Sequence, residues 1–296
     1  MVFWFLIFVL TSAEPETRIP YVSFDEALVI TAQIEQLSAD TFAERERAFF
    51  HLQCFREKAM PFLKSARANA SFFIQKQIDY LLLHVPIRQE LIEVPGGRVR
   101  LGSEDPLCRN PLREKVLKPY AIDCYETTNF MYYVFVRSTD HAPPGTWKEG
   151  KYRLGDEDHP VTGVTYDDAR AFAAWCGKRL PSADEWEFAA RGMEGNLFPW
   201  GDQEYRGAAN IDNMRTFGSD AVGSYKDDTS PLGCKDMAGN VSEWVMALSP
   251  DGNPIPACLG SAFNKTWRRP YTLCSYGAIP KKDDYQSRDT GFRCVR

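Results

Sequence analysis

The spacing of apolar residues divides the chain in two. Between Ser23 and Val85 they recur at helical intervals: Phe24, Leu28, Ile30 and Ile34, then Phe42, Phe49, Phe50, Leu52 and Phe55, then Phe72, Ile78, Leu82 and Leu83. Ser38-Ala39-Asp40, Pro61 and Ala68-Asn69-Ala70-Ser71 interrupt this spacing, which predicts three or four short amphipathic helices. From Leu91 onward the apolar runs are short and extended, separated by Gly, Pro and Asp. Residues 92–103 predict strand, turn and strand, with Gly96-Gly97 supplying the turn. Tyr120-Ala121-Ile122-Asp123 alternates as a half-buried strand does. Helical spacing returns over residues 167–178, and Ser182-Ala183-Asp184-Glu185 is a capping box that starts another helix. Beyond Gly192, aromatic residues and turns dominate and little regular structure is predicted.

The extreme N-terminus follows neither pattern. Residues 2–10 are uninterruptedly apolar and are followed by Thr11-Ser12-Ala13, the form of a secretory signal peptide over residues 1–13. A bilayer takes about 20 residues to cross, so the run predicts export to a secreted or periplasmic location and no transmembrane segment in the mature chain. A buried first helix or strand is the competing reading. A net charge of -5 and the absence of any long basic run give no electrostatic case for nucleic acid or an anionic membrane as partner. All eight cysteines lie beyond the leader: Cys54, Cys108, Cys124, Cys176, Cys234, Cys258, Cys274 and Cys294. An even count in an exported chain favours disulfides, and without CxxC spacing, and with 4 His, zinc is disfavoured.

An ordered set of motifs narrows the reading. Val94-Pro95-Gly96-Gly97 with Leu101-Gly102-Ser103 comes first, followed by Lys118-Pro119-Tyr120-Ala121-Ile122-Asp123 with Glu126-Thr127-Thr128-Asn129. Next come His159-Pro160-Val161 and the run from Gly177-Lys178-Arg179-Leu180-Pro181 through Trp186 to Arg191. Phe198-Pro199-Trp200-Gly201, Ala209-Asn210-Ile211, Asp236-Met237-Ala238-Gly239-Asn240-Val241-Ser242-Glu243-Trp244 and Gly291-Phe292-Arg293-Cys294 complete the series. In this order the motifs resemble the formylglycine-generating-enzyme (sulfatase-modifying-factor) family. The resemblance implies an α+β fold related to C-type lectins, low in regular structure and held by Trp residues and bound calcium. It divides the chain into a leader (1–13), a helical N-terminal extension (14–89) and a family domain (90–296).

Asn240 and Glu243 on a Gly-flanked turn are hard oxygen donors, as is Asn210 near Asp212 and Asp220. Backbone carbonyls of Ile211 and Val241 would complete sites of this kind, which suit calcium by donor type. The alternative from the residues alone is that Asn240 caps a turn and Glu243 pairs with a neighbouring Arg. The resemblance implies calcium.

The resemblance also bears on catalysis. The family enzyme uses two cysteines, five residues apart, to bind copper and activate oxygen. Alignment on Gly260-Ser261 puts Asn264 and Arg269 at those positions, and neither supplies the soft thiolate that monovalent copper requires, so no copper is expected. Ser261 matches the serine of that pocket, and Ser261, Asn264, Trp267 and Arg269 are its remaining candidate residues. Cys274 falls on a family disulfide position whose partner is Ala190 here. Cys294 falls on a second, whose partner position is Ala173; Cys176, one turn later, suggests a shifted Cys176–Cys294 bridge. Cys108–Cys124 and Cys258–Cys274 are paired only by closeness in sequence. The His-x3-His-x-Glu iron motif of the related sulfoxide synthases is missing, since His51 and His84 are isolated.

Three functions remain: a non-catalytic binding or structural module for a protein or small-molecule ligand; an exported oxidase of the same fold using other residues, as in siderophore chromophore maturation; and a true formylglycine generator with relocated cysteines.

Overall fold

A computed structural model describes residues 24–40, 44–45, 48–49, 52, 59–83, 91–106, 108–153, 155–212, 218–265, 274 and 277–296. The leader, Cys54, Trp267 and Arg269 lie outside them. The chain forms two compact units, residues 1–87 and 88–296.

The first unit contains helices α1 (Phe24–Gln36), α2 (Met60–Arg67) and α3 (Phe72–Leu83). Pro61 falls in the first turn of α2, where its missing N–H has no helical acceptor to lose. Ile30, Leu52, Leu63 and Ile78 are buried, as helical spacing requires, whereas Leu28 and Phe72 are exposed. Among the described residues no helix is long and apolar enough to cross a membrane.

The second unit opens with four short strands: β1 (Leu91–Val94), β2 (Gly97–Leu101), β3 (Arg113–Leu117) and β4 (Tyr120–Asp123). The expected hairpin across Gly96-Gly97 does not form. β1 pairs antiparallel with β4, and β2 with β3, so the glycines join two separate sheets. Gly96 is required by a close approach: a Cβ there would sit 2.6 Å from Pro119 Cδ and 2.8 Å from Leu117 O. All four residues of β4 are buried, so this strand is covered on both faces rather than half-buried.

Three helices follow. α4 (Asn129–Thr139) is capped by the Thr128 hydroxyl, which accepts from Met131 N. α5 (Tyr166–Trp175) carries a capping box between Thr165 and Asp168, and α6 (Ala183–Arg191) one between Ser182 and Glu185. Each box satisfies two backbone N–H groups that a helix start leaves without partners.

A four-stranded sheet in the order β7-β6-β5-β8 lies where little regular structure was expected. β5 (Ser242–Leu248) is antiparallel to β6 (Pro254–Leu259), which pairs with β7 (Ile279–Pro280), while β8 (Thr290–Gly291) runs parallel to β5. β5 lacks an apolar–polar alternation because both faces are covered. β6 carries Pro254 and Pro256, residues that argue against a strand until the partners are known. Aromatic rings fill the core. Tyr132 stacks on Phe172 at 5.7 Å, and Phe292 meets Phe172 edge-on at 5.3 Å.

Candidate functional site

The capping box of α6 turns Trp186 and Glu187 inward, and Trp186 Nε1 donates to Glu243 Oε2 at 2.9 Å. Arg293, just after β8, donates to the same carboxylate from Nε and Nη2, both at 2.7 Å. Arg293 and Glu243 are each 0% exposed. The guanidinium also donates to the carbonyls of Asp123, Cys124 and Lys235. Burial alone would discharge it; Glu243 overcomes this and raises its pKa. Glu243, expected as a calcium ligand, is therefore the counter-ion of Arg293. The alternative seen in the sequence, pairing with an Arg, is what occurs, with a partner 50 residues along the chain.

The other expected ligands converge. Asn240, in the left-handed region at φ 65°, is buried, and its Oδ1 accepts from Asn210 Nδ2 (3.0 Å) and Asp220 N (2.9 Å). Its Nδ2 donates to Glu126 Oε2 at 2.7 Å, and Val241 N donates to Glu126 Oε1 at 3.1 Å. Ile211 adjoins this joint: a Cβ on Gly239 would sit 2.9 Å from its Cγ1 and 2.8 Å from Asn210 O. Two turns expected as separate sites are thus one hydrogen-bonded set, to which Glu126 adds a carboxylate that sequence reasoning had placed only at a helix start. Burial, then Asp236 and Glu243, push the Glu126 carboxyl well above its usual range. Asn240 Oδ1 and both Glu126 oxygens are of the donor type that suits calcium, and here each accepts from an N–H group of the same set. Asn240 starts a glycosylation triplet, but its burial leaves no room for a glycan.

Ser261 follows β6 after Gly260. Its backbone N donates to Ala238 O at 3.1 Å, which ties the pocket segment to the Asn240 turn. Its Oγ is buried without a hydrogen-bond partner among the described residues. Asn264 is exposed and bonds to Asp289, which also takes Lys265 Nζ at 2.6 Å. Burial would raise the Asp289 carboxyl, but the bonds from Lys265, Ser287 and Asn264 outweigh it and hold it at about 2. Of the four pocket candidates the structure thus describes Ser261 and Asn264; Trp267 and Arg269 lie outside the described residues.

Burial governs the cysteines nearby. Burial pushes the Cys258 thiol up to about 12 and Cys274 well above its ordinary value. Cys258 lies in β6 opposite Trp244, and Cys274 Sγ faces Met237 O at 3.8 Å. Cys124 Sγ donates to Gly233 O at 3.3 Å. Cys176 lies at the end of α5 within electrostatic reach of Cys294.

A groove that the sequence did not signal opens beside β6 and α6, with a volume of about 400 Å³. Arg113, Lys115 and Asp184 line its polar side, where Arg113 pairs with Asp184 at 2.5 Å and Lys115 with the same carboxylate. Leu248, Ile255 and Leu259 line its apolar side.

A small α+β domain, rich in irregular backbone and closed around a buried Arg–Glu pair, is the class that fold and site define. The sulfatase-modifying factor enzyme 1-like domain matches residues 85–296, and the chain belongs to that family. Its relatives include the inactive C-alpha-formylglycine-generating enzyme 2 of Bos taurus, 29% identical over 265 residues, covering 69% of this chain and 87% of the relative. The formylglycine-generating enzyme of Thermomonospora curvata is 30% identical over 215 residues, covering 53% of this chain and 71% of the relative. Among solved structures, PvdO from Pseudomonas aeruginosa has the same fold, with a TM-score of 0.58 and 24% identity over 70% of this chain and 93% of PvdO.

Proposed function

We propose that this protein is an exported, non-catalytic member of its family that serves as a binding or structural module. The observation that carries this reading is the state of the sulfur near the pocket. Asn264 stands where the resemblance calls for a thiol, and it bonds a carboxylate already paired with Lys265. Cys258 and Cys274, the nearest alternatives, are buried thiols held protonated, whereas monovalent copper requires thiolate. A relative named as inactive supports the same direction. The groove of about 400 Å³ beside β6 offers a mixed polar and apolar surface for a ligand.

Calcium is part of this proposal, as a structural ion taking side-chain oxygens of Asn210, Asn240 and Glu126 and the carbonyl of Asp220, in place of the hydrogen bonds they make here. A Cys176–Cys294 bridge is part of it too. It is supported by the electrostatic proximity of the two residues and by the apolar leader, which directs the chain to an oxidising compartment.

The test is oxygen uptake and aldehyde formation on a Cys-containing peptide, with copper supplied under reducing conditions. No turnover above a heat-denatured control is expected, and no copper retained after dialysis. Catalytic formylglycine formation would overturn the proposal in favour of relocated cysteines, and turnover of another substrate with a bound redox metal would favour the oxidase reading.

A further inference from the structure

Cys124 and Cys234 lie in segments about 110 residues apart in sequence, yet the two backbones are in direct contact. Lys235 N donates to Cys124 O at 2.8 Å. A carbonyl oxygen lies about 2.4 Å from its own Cα, and an amide nitrogen about 2.4 Å from the preceding Cα, which limits the Cα–Cα separation of Cys124 and Cys234 to about 7.6 Å. That limit is reached only when the three links are collinear, and disulfides span roughly 4.4–6.8 Å between Cα atoms. The Cys124 side chain points to the second segment. Cys124 Sγ donates to Gly233 O at 3.3 Å, one peptide before Cys234, and both residues are buried. The titration of Cys234 also senses Cys124 directly.

We propose that Cys124 and Cys234 form a disulfide that ties the end of β4 to the segment leading into the Asn240 turn. Two Sγ–H bonds give way to one Sγ–Sγ bond. Two protons leave, and the electron pair passes to a disulfide oxidant such as oxidised glutathione, which is reduced to two thiols. The exchange needs a thiolate, and burial pushes the Cys234 thiol up to about 12 in the closed core. The bond therefore forms before the core closes and is afterwards shielded from reduction. Arg293 already bridges the same two segments through Cys124 O and Lys235 O, so the disulfide fastens covalently a junction that the guanidinium fastens by hydrogen bonds. It falls on either side of the oxygen set: Glu126 lies two residues after Cys124, and Asn240 six residues after Cys234.

The experiment refolds the full chain from urea in a mixture of oxidised and reduced glutathione. The product is then denatured in N-ethylmaleimide, digested and analysed by mass spectrometry. A peptide containing Cys124 joined to one containing Cys234, two hydrogens lighter than the separate peptides and lost on reduction, is the expected result. Complete alkylation of both residues overturns the proposal, as does Cys124 or Cys234 joined to any other cysteine. In a parallel measurement on the oxidised proteins, Cys124→Ser, Cys234→Ser and the double variant lower the melting temperature by the same amount. Additive losses would mean the two residues act separately and would sink the idea. Mapping the wild-type chain decides the matter even where a variant fails to fold. Because the bond is read chemically, its absence would leave the non-catalytic reading untouched.

Discussion

Arg293 meets Glu243 through two hydrogen bonds of 2.7 Å at a point reached by no solvent. Removing one partner strands the other charge in the core, at a cost of about 3–5 kcal/mol. Arg293→Met is expected to lower stability by about that amount, read from urea denaturation. Glu243→Gln combined with Arg293→Met should cost clearly less than the two single losses added together, since the double variant leaves no unpaired charge.

Gly239 sits where the Asn210 and Asn240 turns touch. A Cβ there would lie 2.8 Å from Asn210 O, so Gly239→Ala must push the turns apart. A loss of about 1–3 kcal/mol is expected, as for an overpacked core position. An unchanged melting temperature would mean that the two turns are not in contact.

Asp289 provides the pH dependence. Its carboxyl is held at about 2, below an unfolded value of about 3.9, so the folded state binds fewer protons than the unfolded state between those values. The stabilisation is fully present above about pH 4 and is lost as pH falls through about 2. Solvent reaches the Lys265 side of the pair, which limits the contribution to about 1 kcal/mol. Asp289→Asn should therefore be less stable than wild type at pH 7, and the difference should shrink towards nothing as the pH approaches 2 in acid titrations followed by fluorescence.

Calcium should raise the melting temperature and a chelator lower it, because an ion that binds only the folded chain stabilises it by mass action. Glu126→Gln should weaken this shift, since one carboxylate of the oxygen set is lost. Glu243→Gln, though less stable, should retain it. A calcium response that disappears with Glu243→Gln and survives Glu126→Gln would restore the ligand assignment made from sequence.

Local features were legible before the structure. Ser182 and Glu185 sit three residues apart, and such a pair closes a helix start locally, as it does at α6. Asn210 and Asn240 were recognisable as oxygen donors by type, although a separation of 30 residues hid their contact with each other. The strands were harder. β1 pairs across 26 or more residues with β4, so nothing near Gly96-Gly97 signals that a hairpin is replaced by two sheets. β5 carries no period-two pattern because its neighbours cover both faces, and β6 is disguised by its prolines. Glu126 was hidden by its motif, which reads as the start of a helix.

Residues 290–296 supply β8, the buried Phe292 and Arg293, and bridges from Val295 to both Ile122 and Arg179. The partners of this segment lie far from it in sequence: Thr290 and Gly291 pair with Ser242 and Glu243, and Val295 with Ile122 and Arg179. The strands and caps that precede this segment gain their shared centre only when it docks, so closure of the domain is a long-range event that local structure alone does not complete.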